Sequence, residues 1–282
     1  MKNIILIHAH ENLEQLNELI EIMSDDNLHT IYTNIDLKSK IDINCVSKKS
    51  KLIKNRTNIS WGDFSQVRAT INSIVEIEKQ EKNYGHLIFI SAMHFPILCN
   101  YEIYNKIYKD KEYLSYTVLS SDGWEGAMIR YQYLWFRNIY VSKIFKYIFN
   151  LLGYRRKMIF DYVPYGGSQW FILSRRCISY IVDFLKNNNS YNCFFKYVQC
   201  ADEIFFQTLI MNSEFKKNVI NSNLLYIDWS DCAKGITSSP NTLTIKDYDK
   251  IIYSENIFCR KVRLPESESL IRKLREKIDE HN

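Results

Sequence analysis

The chain has 282 residues, enough for one large domain or two small ones, and its 46% hydrophobic content is ample for a core. The net charge of +5 is dispersed along the chain, which argues against nucleic acid as a partner, because a phosphate-tracking protein concentrates its basic charge. The seven cysteines are scattered with no Cys-x-x-Cys, which argues against structural zinc, and their odd number suits reduced thiols in a cytoplasm.

Ile4–Ile7 reads as a buried strand. It is too short for a signal peptide or a membrane span, and His8 and His10 interrupt it. Leu13, Leu16, Leu19, Ile20 and Met23 follow at helical spacing, and His29–Ile35 forms a second strand that ends at Asp36. Lys48–Lys54 reads as a basic connection, Phe64–Glu78 as a helix with Val67, Ile71, Ile74 and Val75 on one face, and Leu87–Ile90 as a third buried strand. Strands alternating with helices predict an α/β fold with a mostly parallel sheet covered by helices.

Residues 120–160 differ in character, being rich in Tyr, Trp, Phe and Arg. Their Tyr131–Phe149 run predicts a helix with an aromatic face, either packed on the sheet or presented to an acceptor or a membrane interface. After Gly166 the strand–helix pattern resumes, with a strand at Val219–Ile227, a short helix at Ile245–Tyr253 and a charged amphipathic helix at Ser267–Glu280, read as a solvated or partner-binding helix. Without repeats or Pro- and Gly-rich linkers, the expected organisation is a single catalytic domain over residues 1–265, a variable acceptor-side insert at about 101–162 and a C-terminal helix at 266–282.

Three stretches can carry chemistry. Gly166-Gly167-Ser168-Gln169-Trp170 through Arg175 reads as a Gly-rich turn entering a strand and then a helix. Ala201-Asp202-Glu203-Ile204 puts two carboxylates at the mouth of an apolar helix. Either acid can serve as a base, or merely as a first-turn acid favoured by the helix dipole. Ser60-Trp61-Gly62-Asp63-Phe64-Ser65 marks a helix entrance that Asp63 or Ser65 can cap. A literal Asp-x-Asp at Asp247-Tyr248-Asp249 sits at a predicted helix start, where capping from Thr244 or Asp247 explains it better than metal binding.

Taken in order, these segments resemble the core-2/I-branching β-1,6-N-acetylglucosaminyltransferase family, which includes the peptide O-xylosyltransferases. The resemblance is carried by Ile7-His8-Ala9-His10 with Glu14-Gln15-Leu16, by Asn34-Ile35-Asp36-Leu37-Lys38-Ser39 and by the Ser60–Ala69 block. Phe95-Pro96-Ile97, Gly167–Arg175, Asp202-Glu203, and Thr242-Leu243-Thr244 through Phe258-Cys259-Arg260-Lys261 complete it. It spans residues 4–262 and is poorest from Tyr101 to Tyr162. Where relatives often carry Gly-Gln-Asp before the Phe/Tyr-Pro, this chain has Ala92-Met93-His94, and before Pro240 it has Ser238-Ser239, with Lys234 available from the same loop.

The resemblance implies a GT-A type fold, a UDP-sugar donor, inversion at the anomeric carbon and no divalent metal. Glu203 falls at the position of the base, with Asp202 in support. Lys261, with Arg260 beside it, falls where the family binds the diphosphate; the competing reading is an ordinary surface cation. Asp36 and His10 line the expected nucleotide pocket, and Trp229 matches a tryptophan that packs on the acceptor sugar, although a core tryptophan fits the spacing equally. The expected function is transfer of a sugar, N-acetylglucosamine first, from a UDP-sugar to a carbohydrate or lipid-linked glycan acceptor. The missing anchor and stem of a Golgi enzyme point to bacterial surface-polysaccharide synthesis in the cytoplasm, with peripheral contact at the inner face of the plasma membrane. The alternatives are another donor, such as UDP-xylose or another hexose, and a non-catalytic carbohydrate-binding subunit of a glycan-assembly complex.

Overall fold

The computed structural model of the chain describes residues 1–120, 124, 126–237 and 239–280. Its backbone divides into two compact units that alternate along the sequence: Met1–Lys54, Asn83–Lys109 and Leu224–Asn282 form the first, Asn55–Lys82 and Asp110–Asn223 the second.

The first unit is built on four parallel strands in the order His86–Ser91, Asn3–Ala9, His29–Ile35, Ser50–Leu52. Every residue of Asn3–Ala9 is buried, which is why this strand is a near-continuous apolar run rather than an alternating one. The register sets Ile5 beside Ile31 on one side and Ile88 on the other. The helix Leu13–Met23 starts where the Asn12 side chain accepts from the Gln15 amide (3.0 Å), and it buries Leu16, Leu19, Ile20 and Met23. The basic connection expected at Lys48–Lys54 contains the short strand Ser50–Leu52, fixed to its neighbour by a 2.7 Å hydroxyl bond between Ser50 and Thr33. Its lysine-rich sequence belongs to a sheet edge, where exposed cations discourage further pairing.

A second small sheet in this unit pairs Leu225–Ile227 in parallel with Phe258–Arg260, and the latter antiparallel with Phe95–Pro96. The single strand expected at Val219–Ile227 is therefore two, Val219–Ile220 in the second unit and Leu225–Ile227 in the first. Leu224, at φ 53°, takes the left-handed conformation that breaks the run. The C-terminal helix Glu268–Asp279 is integral to the first unit rather than solvated: Leu270, Ile271 and Leu274 pack with Phe95, Ile97, Leu243, Ile251, Cys259 and Val262. Each such buried aliphatic side chain contributes about 1.5–3 kcal/mol.

In the second unit, Glu112–Leu114 runs antiparallel to Phe171–Ser174 and parallel to Val219–Ile220, and Thr117–Val118 pairs antiparallel with Tyr165–Gly166. The helices Ser65–Gln80, Arg175–Asn187, Asn189–Phe195 and Phe205–Met211 belong to the same unit, and the last is buried at every position. The helix expected at Tyr131–Phe149 is two, Ile129–Gln132 and Ile139–Leu151, because Asn138 caps the second by accepting from the Tyr140 amide (2.9 Å). No residue of Ile139–Leu151 is buried, so its aromatic content is not core. Among the described residues no helix is long and apolar enough to cross a membrane. The architecture is mixed α/β, with a mostly parallel sheet flanked by helices, as the alternating pattern predicts.

Candidate active site

Glu203 closes a 3₁₀ turn, Ala201–Glu203, that leads into the buried helix Phe205–Met211. The turn is fixed on both sides. Before it, Cys200 adopts φ 49° and its amide donates to the Gly62 carbonyl (3.0 Å). After it, Phe205 and Phe206 anchor in an aromatic cluster, with ring centroids 5.9 Å from Phe64 and 5.2 Å from Phe171, while the Tyr191 hydroxyl donates to the Phe205 carbonyl (2.8 Å). The Gly167 amide donates to the Glu203 carbonyl (2.8 Å). A Cβ on Gly167 would lie 2.0 Å from the Ser115 carbonyl oxygen, so only glycine lets the two backbones meet. Gln207 Nε2 adds a 2.6 Å bond to the Ser168 carbonyl. The Gly-rich stretch is thus the frame that holds Glu203.

The Glu203 side chain is half-buried and forms an ion pair through Oε2 with the Arg130 guanidinium, which itself lies 4.6 Å from the Trp124 ring centroid. Its other oxygen, Oε1, accepts no bond among the described residues. A carboxylate oriented by one arginine with an oxygen left over is suited to accept a proton from a hydroxyl. The cap position of the following helix falls to Ile204, which has no side-chain acceptor.

In the first unit, Asp36 is buried at the end of the strand His29–Ile35. Its Oδ1 accepts from the Lys38 amide (3.1 Å) and its carbonyl from the Ser39 amide (2.9 Å), while the Ser39 hydroxyl donates to the His10 carbonyl (2.8 Å). These bonds bring His10 and Asp36 to one cleft of about 620 Å³, which Lys38 and Asp42 also line. His10 is itself exposed, 3.9 Å from Glu11.

Lys261 follows the strand Phe258–Arg260 and lines a separate cleft of about 440 Å³ with Asp228, Asn241, Thr242 and Thr244. Burial, then Arg260 and Arg263, push the Lys261 ammonium below its usual value, with Glu11 opposing. Asp231, Asp247 and Lys246 line the same cleft, so its charge is mixed and the positive field at Lys261 comes from Arg260 and Arg263 beside it. Arg263, which bonds Glu11 at 3.3 Å, is absent from the sequence-based selection, because an Arg two positions past the matched lysine carries no signal of its own. His94, in the departing Ala92-Met93-His94 segment, is fully buried, and burial with the Arg260 charge holds its ring well below the usual histidine value. Its Nδ1 accepts from the Ser91 amide (3.1 Å), so the ring is neutral and adds no positive charge beside Arg260.

Trp229 is 46% exposed, which removes the core reading, and it precedes the short helix Ser230–Ala233. Trp61, at 77%, is the more exposed indole and sits in the turn whose Gly62 bonds Cys200. Arg130 lies in the poorly matching segment, where no motif marked it. Lys234 is engaged with Asp231 at 3.3 Å, and Ser238 lies outside the described residues. Asp247 Oδ2 accepts from the Thr244 amide (2.9 Å) in a capping box, which accounts for the Asp-x-Asp as a helix start. Among the described residues no three His, Cys, Asp or Glu side chains gather as a metal-ligating group.

Residues 4–252 match the model of the Core-2/I-branching enzyme family, and the chain belongs to that family of glycosyltransferases. Its mixed α/β architecture is the GT-A-like fold that this membership implies. Similar curated proteins include a xylosyltransferase of Ciona intestinalis, 25% identical over 80% of this chain and 26% of its own length. The β-glucuronosyltransferases GlcAT14B and GlcAT14A of Arabidopsis thaliana are each 22% identical, over 77% and 75% of this chain and 49% and 47% of their own lengths. The chain thus spans between a quarter and a half of the curated relatives it matches.

Proposed function

We propose that this protein is an inverting, metal-independent glycosyltransferase that moves a sugar from a UDP-sugar to a carbohydrate hydroxyl. The observation that carries the reading is Glu203, fixed by Arg130 through one oxygen and, among the described residues, open at the other. Oε1 takes the proton of the acceptor hydroxyl as that oxygen bonds to the anomeric carbon; the bond from the anomeric carbon to the phosphate oxygen breaks, and UDP leaves from the opposite face. General-base help of this kind supplies about 10²–10⁴ in rate. The charge that develops on the departing diphosphate is met by Lys261 and Arg260, with Arg263 adding to the field. Asp36 and His10 serve the nucleoside, and Trp229 offers an exposed indole to an acceptor sugar.

The donor we assign first is UDP-N-acetylglucosamine. UDP-xylose or UDP-glucuronate is the second reading, favoured by the names of the matched relatives. Those relatives come from an animal and a plant, and synthesis of a microbial surface glycan is retained only as part of the proposal. A thermal-shift panel of UDP-sugars with and without EDTA tests the reading. A donor at 100 times its Kd stabilises the fold by about 2.7 kcal/mol. The expected result is one stabilising UDP-sugar whose effect survives EDTA. Stabilisation by none, or only with Mn²⁺ present, overturns it.

A further inference from the structure

We propose that the helix Ile139–Leu151 lies in the plane of an anionic lipid surface. Its outward stripe is apolar where a surface helix is normally polar. Tyr140, Ile144, Tyr147, Ile148 and Leu151 fall at i, i+4, i+7, i+8 and i+11, a single face, and all are exposed: Tyr140 and Leu151 at 73%, Tyr147 at 68%. The opposite side holds the helix to its own unit. Phe145 packs on Phe136 with centroids 5.0 Å apart, and Phe149 packs on Tyr154 at 5.1 Å. The outward stripe is therefore separate from the half-buried face by which the helix packs on its own unit.

Charge identifies the occupant. Residues 131–160 contain not one Asp or Glu, and five of their six basic residues, Arg137, Lys143, Lys146, Arg155 and Lys157, are exposed, while Arg156 turns inward to the Phe194 carbonyl (2.9 Å). A protein partner matching only the apolar stripe would need no such surround, whereas an anionic bilayer complements both parts at once. Lys143 borders the stripe, where a long stem covers apolar surface while its ammonium group meets lipid phosphates; Lys146 lies further round, with its ammonium 5.3 Å from the Tyr133 ring centroid. Tyrosine at two stripe positions suits the headgroup level, with an apolar ring and a polar hydroxyl. At 13 residues the helix is about 20 Å long, too short to span a bilayer and long enough to lie along one. The same chain segment carries Arg130, so the lipid-facing helix follows directly after the residue that orients Glu203.

The test is flotation of the full chain with vesicles of phosphatidylcholine containing phosphatidylglycerol, against vesicles of phosphatidylcholine alone. Binding to the anionic vesicles only is expected. Lys143→Gln should weaken it roughly fivefold. The double variant Ile144→Asp/Leu151→Asp should abolish it while leaving thermal unfolding and UDP-sugar stabilisation unchanged, since both positions are exposed. Equal partition onto the two vesicle types, or full binding by the double variant, overturns the proposal. So does a solution dimer that the double variant dissociates, which would make a second copy the occupant. Loss of donor binding in any of these proteins bears on the catalytic reading and leaves the lipid result to stand alone.

Discussion

Arg130 holds Glu203 by an ion pair across 73 positions of sequence, with its guanidinium lying 4.6 Å from the Trp124 ring centroid. The arrangement fixes one carboxylate oxygen and leaves the other, so Arg130 is a positioning residue rather than a reactant. Its planar fork suits both the carboxylate and the indole, a combination that lysine does not reproduce.

Arg130→Met should lower kcat by about tenfold or more while leaving UDP affinity unchanged, and Arg130→Lys should recover only part of the loss. Steady-state kinetics with separate measurement of UDP binding checks this. A purely structural role would instead appear as a fall in thermal stability with kcat per folded molecule intact.

Lys261 gives a pH signature. Burial and the neighbouring Arg260 and Arg263 place its ammonium below the ordinary 10.5, so it loses its proton at a lower pH than an exposed lysine. Affinity for UDP should therefore decline as the pH rises towards that value, and Lys261→Arg should abolish the decline, because arginine stays charged. Calorimetric titration of UDP across the alkaline range is the measurement; an identical profile for both proteins would remove Lys261 from the diphosphate.

Acid should destabilise the first unit through its buried histidines. Burial lowers His8 from 6.5 to about 3 and His29 from 6.5 to about 4. Both depressed values mean that the unfolded chain binds protons that the folded chain refuses. Stability is then fully present above about pH 6.5 and is lost as the pH falls towards 4, each ring contributing at most about 1.4 kcal/mol per pH unit. His8→Leu should flatten the fall in unfolding temperature between pH 6.5 and 4. An unchanged slope would show that other groups govern it.

Much of the fold is legible in the sequence because its strands are either fully buried or strongly patterned. Asn3–Ala9 announces itself as an apolar run, His29–Ile35 by its Thr, Ile and Tyr content, and Leu13–Met23 by its period. What escapes is local. Ser50–Leu52 is too short and too basic to read as a strand, and the break at Leu224 depends on a backbone conformation that a leucine does not advertise. The C-terminal helix looks solvated because charges outnumber its apolar residues, yet Leu270, Ile271 and Leu274 share one face and that face is covered. In the candidate site, Glu203, Lys261 and Asp36 emerge from motifs, whereas Arg130 and Arg263 act through neighbours that only the folded chain supplies.

The central claim is that Glu203 takes the acceptor proton. Its most direct test is the rate of sugar transfer by Glu203→Gln, an isosteric change that keeps hydrogen bonding and removes basicity, measured together with the UDP dissociation constant. Transfer should fall by about 10²–10⁴ with UDP binding nearly unaltered. Wild-type turnover in this variant would contradict the account.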